Sequence, residues 1–309
     1  MKKYYTRACN FYYGKSSKLQ IKKKNSLPLN GNLLISFDHI EILSRNSYKR
    51  INIKEIEKLS INLKKKVKKD LRNITRRKKN FSNLKFTKVP NLMGILNLTP
   101  DSFSDGGKFN KNKKGIEHAK NLFKFGADIV DVGGESTRPG AKEIQESKEW
   151  KRINIILKKI CKNRAISLDT RKSKIMEKGI KLGVKLINDV SGLDFDYNSI
   201  NILKKYSTPF VIHHSLGTPE IMQKNPKYRN VLFDIYDFFE SKIRLIRMNG
   251  IRHNNIILDP GIGFGKNLKH NLTLINNISI FHSLGFPIMM GISRKRFLKD
   301  LSGTNDSKH

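Results

Sequence analysis

The sequence predicts an α/β fold of the (β/α) barrel type, preceded by a basic N-terminal extension. Three observations predict it: short apolar runs recur between residues 92 and 292, each breaks into polar residues at its C-terminal end, and helix-spaced apolar residues fill several of the intervals. Alternating βα units imply a parallel sheet with helices outside it.

Taken in order, the leader comes first. Leu33-Leu-Ile-Ser-Phe37 and Ile40-Glu-Ile-Leu43 read as strand material, and residues 53–70 carry a helical stripe at Ile56, Leu59, Leu63 and Val67. A small folded appendage is expected. The next run, Leu92 to Leu98, is short, apolar and bounded by Pro90 and Pro100, which fits a strand buried on both faces; Pro100 has no amide hydrogen for a central ladder. It breaks into a loop crowded with Asn97, Thr99, Asp101, Ser102, Ser104 and Asp105, suited to an anion or a metal, with an ordinary turn as the plainer reading.

Ile116, Ala119 and Phe123 recur at helical spacing ahead of Gly126, which can end a helix. Ile129-Val-Asp-Val-Gly133 then runs into Gly134-Glu-Ser-Thr-Arg-Pro-Gly140. A second helical stripe at Ile153, Ile156, Leu157 and Ile160 precedes Ala165-Ile-Ser-Leu168, which meets Asp169-Thr-Arg-Lys172. Leu186-Ile187 meets Asn188-Asp-Val-Ser-Gly192, Phe210-Val-Ile212 meets His213-His-Ser-Leu-Gly217, and Ile256-Ile-Leu258 meets Asp259-Pro-Gly-Ile-Gly-Phe-Gly265. Ile288-Met-Met-Gly-Ile292 meets Ser293-Arg-Lys295, the seventh such run.

An open doubly wound sheet would gather its polar strand ends mainly at one switch point, whereas a barrel delivers every strand end to one rim. Polar residues after all seven runs favour the barrel. Gly261, Gly263 and Gly265 spell G-x-G-x-G, but they follow Asp-Pro and open no convincing helix, so a dinucleotide site is not indicated.

The 309 residues, 38% of them hydrophobic, suffice for one barrel of about 250 residues plus an appendage. Residues 1–90 hold 25 Lys and Arg against 5 Asp and Glu, so more than half of the formal +36 charge lies in front of the barrel. Lys64-Lys-Lys-Val-Lys-Lys69 and Arg76-Arg-Lys-Lys79 are able to neutralise nucleic acid or anionic lipid; a solvated face is the favoured reading, and few aromatics interleave to stack bases. No apolar run approaches the roughly 18 residues of a membrane span, and residues 1–24 lack the core of a secretory signal. The first acidic residue is Asp38, which leaves a mitochondrial transit peptide open. Cys9 and Cys161 form no metal or redox spacing, so a reduced, cytoplasmic compartment is expected.

The loop residues suggest chemistry. Asp169, Asn188 and Asp259 end three strands and can converge on a heterocycle rich in N–H donors, because carboxylates accept paired hydrogen bonds and an amide both gives and takes. Arg138, Arg294 and Lys295 suit a phosphate or diphosphate. Asn97 and Asp101 offer oxygen ligands fit for Mg²⁺ beside a diphosphate. The plainer roles are a helix cap for Asp169, a structural partner in the barrel interior for Asp131, and bonds to loop amides for Glu135. His213 and His214 are adjacent, so at most one faces the site.

From Met93 onward the chain resembles the dihydropteroate synthases of the pterin-binding family. The resemblance rests on Leu96-Asn-Leu-Thr-Pro-Asp-Ser-Phe-Ser-Asp-Gly106, Gly133-Gly-Glu-Ser-Thr-Arg-Pro-Gly140, Leu168-Asp-Thr170, Ile187-Asn-Asp189, Met222-Gln with Pro226-Lys-Tyr228, Leu258-Asp-Pro-Gly-Ile-Gly-Phe-Gly-Lys-Asn267 and Gly291-Ile-Ser-Arg-Lys295. The leader, with Tyr4-Tyr5, Gly14, Leu27-Pro-Leu29, Gly31 and Phe37, is similar to an extension found in front of some bacterial members, notably alphaproteobacterial ones.

The resemblance implies a (β/α)8 barrel over residues 89–309 behind an extension of residues 1–88. It implies a transferase that joins 6-hydroxymethyl-7,8-dihydropterin diphosphate to 4-aminobenzoate, releasing diphosphate and 7,8-dihydropteroate for folate synthesis. By motif position Asp169, Asn188, Asp259 and Lys295 would hold the pterin, and Asn97 would bind Mg²⁺ and diphosphate. Thr137, Arg138, Pro139, Ser293 and Phe103 would shape the aminobenzoate pocket, where sulfonamides would compete. The resemblance would make Asp169, Lys295 and Arg138 the catalytic set.

The sequence departs from the family where it stops at Lys299-Asp-Leu-Ser-Gly-Thr-Asn-Asp-Ser-Lys-His309, without a final strand and its Arg-x-His-Asp-type segment. A barrel lacking its last βα unit, from a fragment or a decayed enzyme, is the expectation, with the usual homodimer weakened. His213-His-Ser-Leu and Ile262 are smaller departures. Two other readings stay open: a methyltetrahydrofolate-binding methyltransferase, which would lack the two long loops, and a non-catalytic polycation that binds RNA.

Overall fold

The computed structural model describes residues 3–80, 84, 90–99, 112–136, 140–217, 226–293, 295, 297 and 298. The basic leader is folded. Its four-stranded antiparallel sheet comprises β1 (Tyr5–Tyr13), β2 (Leu27–Leu29), β3 (Asn32–Ser44) and β4 (Ser47–Asn52), with β3 lying between β1 on one side and β2 and β4 on the other.

The two strands expected around residues 33–43 are one. Asp38 and His39 stay in the ladder because β1 pairs straight through them, Cys9 opposite His39, and because the Asp38 carboxylate accepts hydrogen bonds from Asn10 Nδ2 and Tyr12 Oη, both at 2.7 Å. The single helical stripe expected over residues 53–70 divides instead. A 3-10 segment, Ile53–Lys58, is closed at its start by reciprocal Asn52 and Glu55 bonds; Leu59 turns extended, and α2 runs over Ile61–Thr75 after the earlier helix α1 (Gly14–Lys22). The stripe survives the break, since Ile56, Leu59 and Val67 all enter one core with Phe37, Ile40 and Ile74.

The barrel part holds β5 (Met93–Asn97), β6 (Ile129–Gly133), β7 (Ile166–Asp169), β8 (Leu186–Asp189), β9 (Phe210–His213) and β10 (Ile256–Asp259), all parallel and in chain order across the sheet. That order decides between the two closures. A doubly wound sheet reverses direction at its switch point, whereas here every strand lies beside its predecessor, as barrel staves do. The helices α3 (Asn112–Lys124), α4 (Glu146–Ile160), α5 (Ser173–Lys181), α6 (Ser199–Tyr206), α7 (Val231–Met248) and α8 (Leu268–Asn276) alternate with them. A 3-10 segment over Ile278–Leu284 follows.

The seventh expected strand is reduced to one bridge. Ile288 pairs with Leu258, with Leu258 N donating to Pro287 O at 3.0 Å and Met289 N to Leu258 O at 2.8 Å. The next residue with its backbone toward this neighbour, two beyond Leu258 and just past β10, is Pro260, which has no amide hydrogen to extend the pairing.

Side-chain alternation creates two environments. Outward residues such as Val130, Val132, Ile166, Leu168 and Ile212 join the helices in the main core. Inward residues Ile129, Ala165, Leu186, Val211 and Ile257 form an apolar floor with Leu84. Two positions later on the same faces stand Asp131, Ser167, Asn188, His213 and Asp259. The barrel thus has an apolar floor and a polar mouth.

The leader docks on the outside of this barrel. Tyr5 stacks on Phe233 of α7 at 4.4 Å and its hydroxyl donates to Asp237 at 2.9 Å; Ser279 Oγ donates to Ala8 O at 2.9 Å, and Asn73 Nδ2 to Ser283 O at 2.8 Å.

Candidate active site

One row of the sheet carries most of the polar mouth. Asn97 pairs with Gly133, Gly133 with Asp169, and Asp169 with Asn188, so these four residues share a level and a face. Gly133 leaves a gap in the row. A Cβ built there would stand 3.4 Å from both Asn97 Oδ1 and Asp169 Oδ2, so the amide oxygen and the carboxylate face each other across an open notch.

Asn188 is oriented from behind. Its Nδ2 donates to Asp131 Oδ2 at 2.8 Å, while Asn188 Oδ1 and Asp131 Oδ1 are buried without a partner among the described residues. An unsatisfied buried acceptor costs about 1–3 kcal/mol, a penalty that a ligand with N–H donors would remove. Asp131 therefore fills the structural role expected of it, and burial drives its carboxyl pKa upward.

Asp169 ends β7 and does not cap the next helix: the N-cap of α5 is Lys172. Burial raises the Asp169 pKa well above the usual carboxylate value, and the negative field of Asp131, Glu149, Asp189 and Glu135 adds to it. Asp259, at the end of β10, accepts the Gly261 amide on Oδ1 at 2.7 Å. This turn requires glycine: Gly261 has φ of 65°, and a Cβ would lie 1.9 Å from His214 O. Burial pushes the Asp259 carboxyl up to about 6, against the opposing pull of the Gly261 bond, Lys295 and Lys266.

Lys295 completes the group. Its Nζ lies 4.1 Å from the centre of the Phe264 ring, and burial lowers its pKa against the opposing fields of Asp259 and Asp169. The ammonium thus stands within reach of both carboxylates' fields. Ser293 is described as exposed at the same end of the barrel. Phe103, Thr137, Arg138 and Pro139, like Asp101 and Arg294, lie outside the described residues.

The two histidines diverge. His213 meets Phe264 edge-on at 4.6 Å, with Nδ1 3.1 Å from Val190 O, and burial pulls its pKa down to about 3, so the ring is neutral. His214 turns to Lys266 Nζ at 3.1 Å and to the Phe238 ring. Phe264 and Lys266 were not singled out from the sequence; an aromatic and a cation inside the glycine-rich run after Asp259 were the available signal. Lys266 donates to Phe264 O at 2.8 Å, and burial lowers its pKa to about 7.

Among the described residues no three His, Cys, Asp or Glu side chains are grouped to hold a metal ion. Asn97 Oδ1 and Asp169 Oδ2 are both hard oxygens at the notch.

Residues 93–308 match the family described as pterin binding enzyme. A dihydropteroate synthase of Clostridium beijerinckii is 43% identical over 209 residues, covering 67% of this chain and 75% of that relative. The chain belongs to the dihydropteroate synthase family. A Yersinia pestis dihydropteroate synthase, solved in a sulfonamide drug complex, superimposes with a TM-score of 0.68 at 38% identity, over 70% of this chain and 78% of the other. A Xanthomonas albilineans dihydropteroate synthase in complex with 7,8-dihydropteroate gives 0.62 at 29% identity, over 71% and 78%. Both likenesses agree with the barrel-type order of the parallel sheet. The family match begins at the first barrel strand, so the folded leader lies outside it.

Proposed function

We propose that the polar mouth condenses 6-hydroxymethyl-7,8-dihydropterin diphosphate with 4-aminobenzoate, giving 7,8-dihydropteroate and diphosphate. The observation that carries this reading is the set of acceptors on the inner face: Asp169 level with Asn188, whose oxygen has no partner among the described residues, and Asp259 one inward position nearer the mouth. A flat ring bearing amino and ring N–H groups supplies the donors such a set lacks.

Each residue then has a task. Asp169, Asn188 and Asp259 accept the pterin's donors, and Asp131 holds the Asn188 amide in the productive orientation. Lys295, with Phe264 beside it, presents positive charge and an aromatic face to the ring. Breaking the C–O bond sends its electron pair away with diphosphate; the CH₂ cation spreads into the pterin ring, where the carboxylates stabilise it. The weakly nucleophilic aromatic amine then forms the C–N bond and releases a proton. Arg138, Thr137, Pro139, Ser293 and Phe103 are assigned to the aminobenzoate side by their motif positions.

Mg²⁺ fits the donor chemistry at the notch, because this ion keeps few protein ligands beside a diphosphate and Asn97 offers a hard oxygen. When bound, it would offset charge on the leaving group. The same reading includes a homodimer, a cytoplasmic location and a division between residues 1–88 and 89–309. In its support, both cysteines are free and no described helix is long and apolar enough to cross a membrane.

The experiment is an assay for dihydropteroate and diphosphate with purified, folded protein. Product that requires both substrates and is suppressed by a sulfonamide is expected. Folded protein that binds neither substrate and forms no product overturns the reading.

A further inference from the structure

Beside the substrate-facing row, a buried cluster of four charged residues ties the loops after β6 and β7 to each other and to α4. Glu135, two residues beyond β6, accepts Lys172 Nζ at 2.8 Å and the Ile144 amide at 3.0 Å on Oε1. Its Oε2 accepts Arg171 Nε at 3.1 Å and a terminal guanidinium nitrogen at 3.0 Å. Lys172 Nζ also donates to Glu149 Oε2 at 2.8 Å, and Thr170 Oγ1 donates to Glu149 Oε1 at 2.6 Å. The Arg171 guanidinium carbon lies 4.1 Å from the centre of the Phe195 ring, in the loop after β8.

Two cations balance two carboxylates, and all four residues are buried. Such networks return little net stability, because desolvation of the ions consumes most of the attraction. Their distinctive consequence here is geometric. A single carboxylate holds both feet of the segment joining β6 to α4: it belongs to the outgoing foot, and it bonds the amide of Ile144 on the returning one. The β7 loop, through Arg171 and Lys172, fixes that carboxylate from the side. Asp169 is held separately by its ladder partners Gly133 and Asn188.

We propose that Glu135 and Arg171 are positioning residues for the aminobenzoate half of the reaction, fixing the two described feet, residues 135–136 and 140–144, of the segment that joins β6 to α4. The proposal rests on the dihydropteroate synthase reading, which places Thr137, Arg138 and Pro139 between those feet. Misplacing groups that orient a substrate by about 1 Å costs up to a hundredfold in rate, so a loosened foot has a measurable effect.

The test compares Arg171→Met, Arg171→Lys and Phe195→Leu with the wild type in full-length protein, each checked for folding by thermal melting. Arg171→Met is expected to raise KM for 4-aminobenzoate about tenfold while leaving KM for the pterin diphosphate within about twofold. Arg171→Lys keeps the charge but loses the fork and the flat stack, and should fall between; Phe195→Leu removes the platform without touching the charges and should shift KM in the same sense. Hydrogen exchange across residues 136–144 should quicken in all three. Equal rises in both KM values, or folded variants with unchanged KM and unchanged exchange, overturn the proposal. If the wild type itself makes no product, the functional reading fails on its own; exchange at Ile144 then decides the clasp, with an unchanged rate counting against it.

Discussion

Asp131 Oδ2 accepts the Asn188 side-chain amide at 2.8 Å and so fixes the orientation of that amide: its nitrogen is committed to Asp131, and its oxygen is left without a partner among the described residues. Neither residue could do this alone, since a free amide flips at little cost. Asp131→Asn gives the partner a donor of its own that competes for the Asn188 oxygen. Pterin affinity is expected to fall about tenfold, or roughly 1.4 kcal/mol, by calorimetry on protein with unchanged circular dichroism. An unaltered dissociation constant would remove Asp131 from the site.

Asp169 sits where burial and four neighbouring carboxylates all disfavour its charge. A residue kept under such conditions is expected to have a functional reason. Asp169→Asn should abolish turnover, by more than about a hundredfold, while the fold and melting temperature are preserved or improved. Near wild-type kcat would refute its assignment.

The notch at Gly133 supplies a steric test. Gly133→Ala puts a methyl at ordinary contact distance, 3.4 Å, from both Asn97 Oδ1 and Asp169 Oδ2. No positive φ is involved, so the backbone should tolerate it. Expected are normal stability and loss of substrate binding, read by calorimetry with the pterin diphosphate; binding at wild-type strength would mean that the ligand does not use the notch.

The pH response follows from Asp259, whose carboxyl is pushed up to about 6 from 3.8. The folded protein holds more protons than the unfolded chain between those values, so this residue's contribution to stability falls as pH rises through that window. Substrate binding runs the other way. The ionised acceptor is needed, and kcat/KM for the pterin substrate should fall as pH drops below about 6. Lys295→Met removes a cation that favours the carboxylate, and the acid limb of pterin binding should move to higher pH. A limb that stays in place would detach it from Asp259.

The leader is predicted to be part of the folded unit. Tyr5 is 1% exposed, stacked on Phe233 and bonded through its hydroxyl to Asp237. Tyr5→Ala leaves a ring-sized cavity at the contact with α7 and should cost about 3–5 kcal/mol in chemical denaturation. Tyr5→Phe should cost only about 1 kcal/mol, the share of the hydrogen bond. Equal effects of the two would contradict the packing described.

Much of the candidate site was legible because it is built at strand ends, where a change from apolar to polar residues in one short run marks the rim. Asp169, Asn188 and Asp259 each followed such a run. The clasp was legible only in part: Glu135 reads as a partner for loop amides, as it is for Ile144, but Glu149 and the cations lie in segments up to 36 residues apart and each reads singly as a surface charge. Phe264 and Lys266 stand on either side of Gly265 in the run after Asp259, where local sequence does not tell that Phe264 meets Lys295 or that Lys266 turns back to the Phe264 carbonyl.

By itself the sequence determined the alternation of strands and helices, because burial on both faces of a parallel sheet demands short continuous apolar runs, and helices covering it demand a 3.6-residue stripe. It also determined which residues end each strand. Only the tertiary structure decided the register that sets Asn97, Gly133, Asp169 and Asn188 side by side, the amide orientation imposed by Asp131, and the docking of the basic leader against α7. These depend on contacts between residues far apart in the chain, and local patterning carries no record of which distant partner a polar side chain will meet.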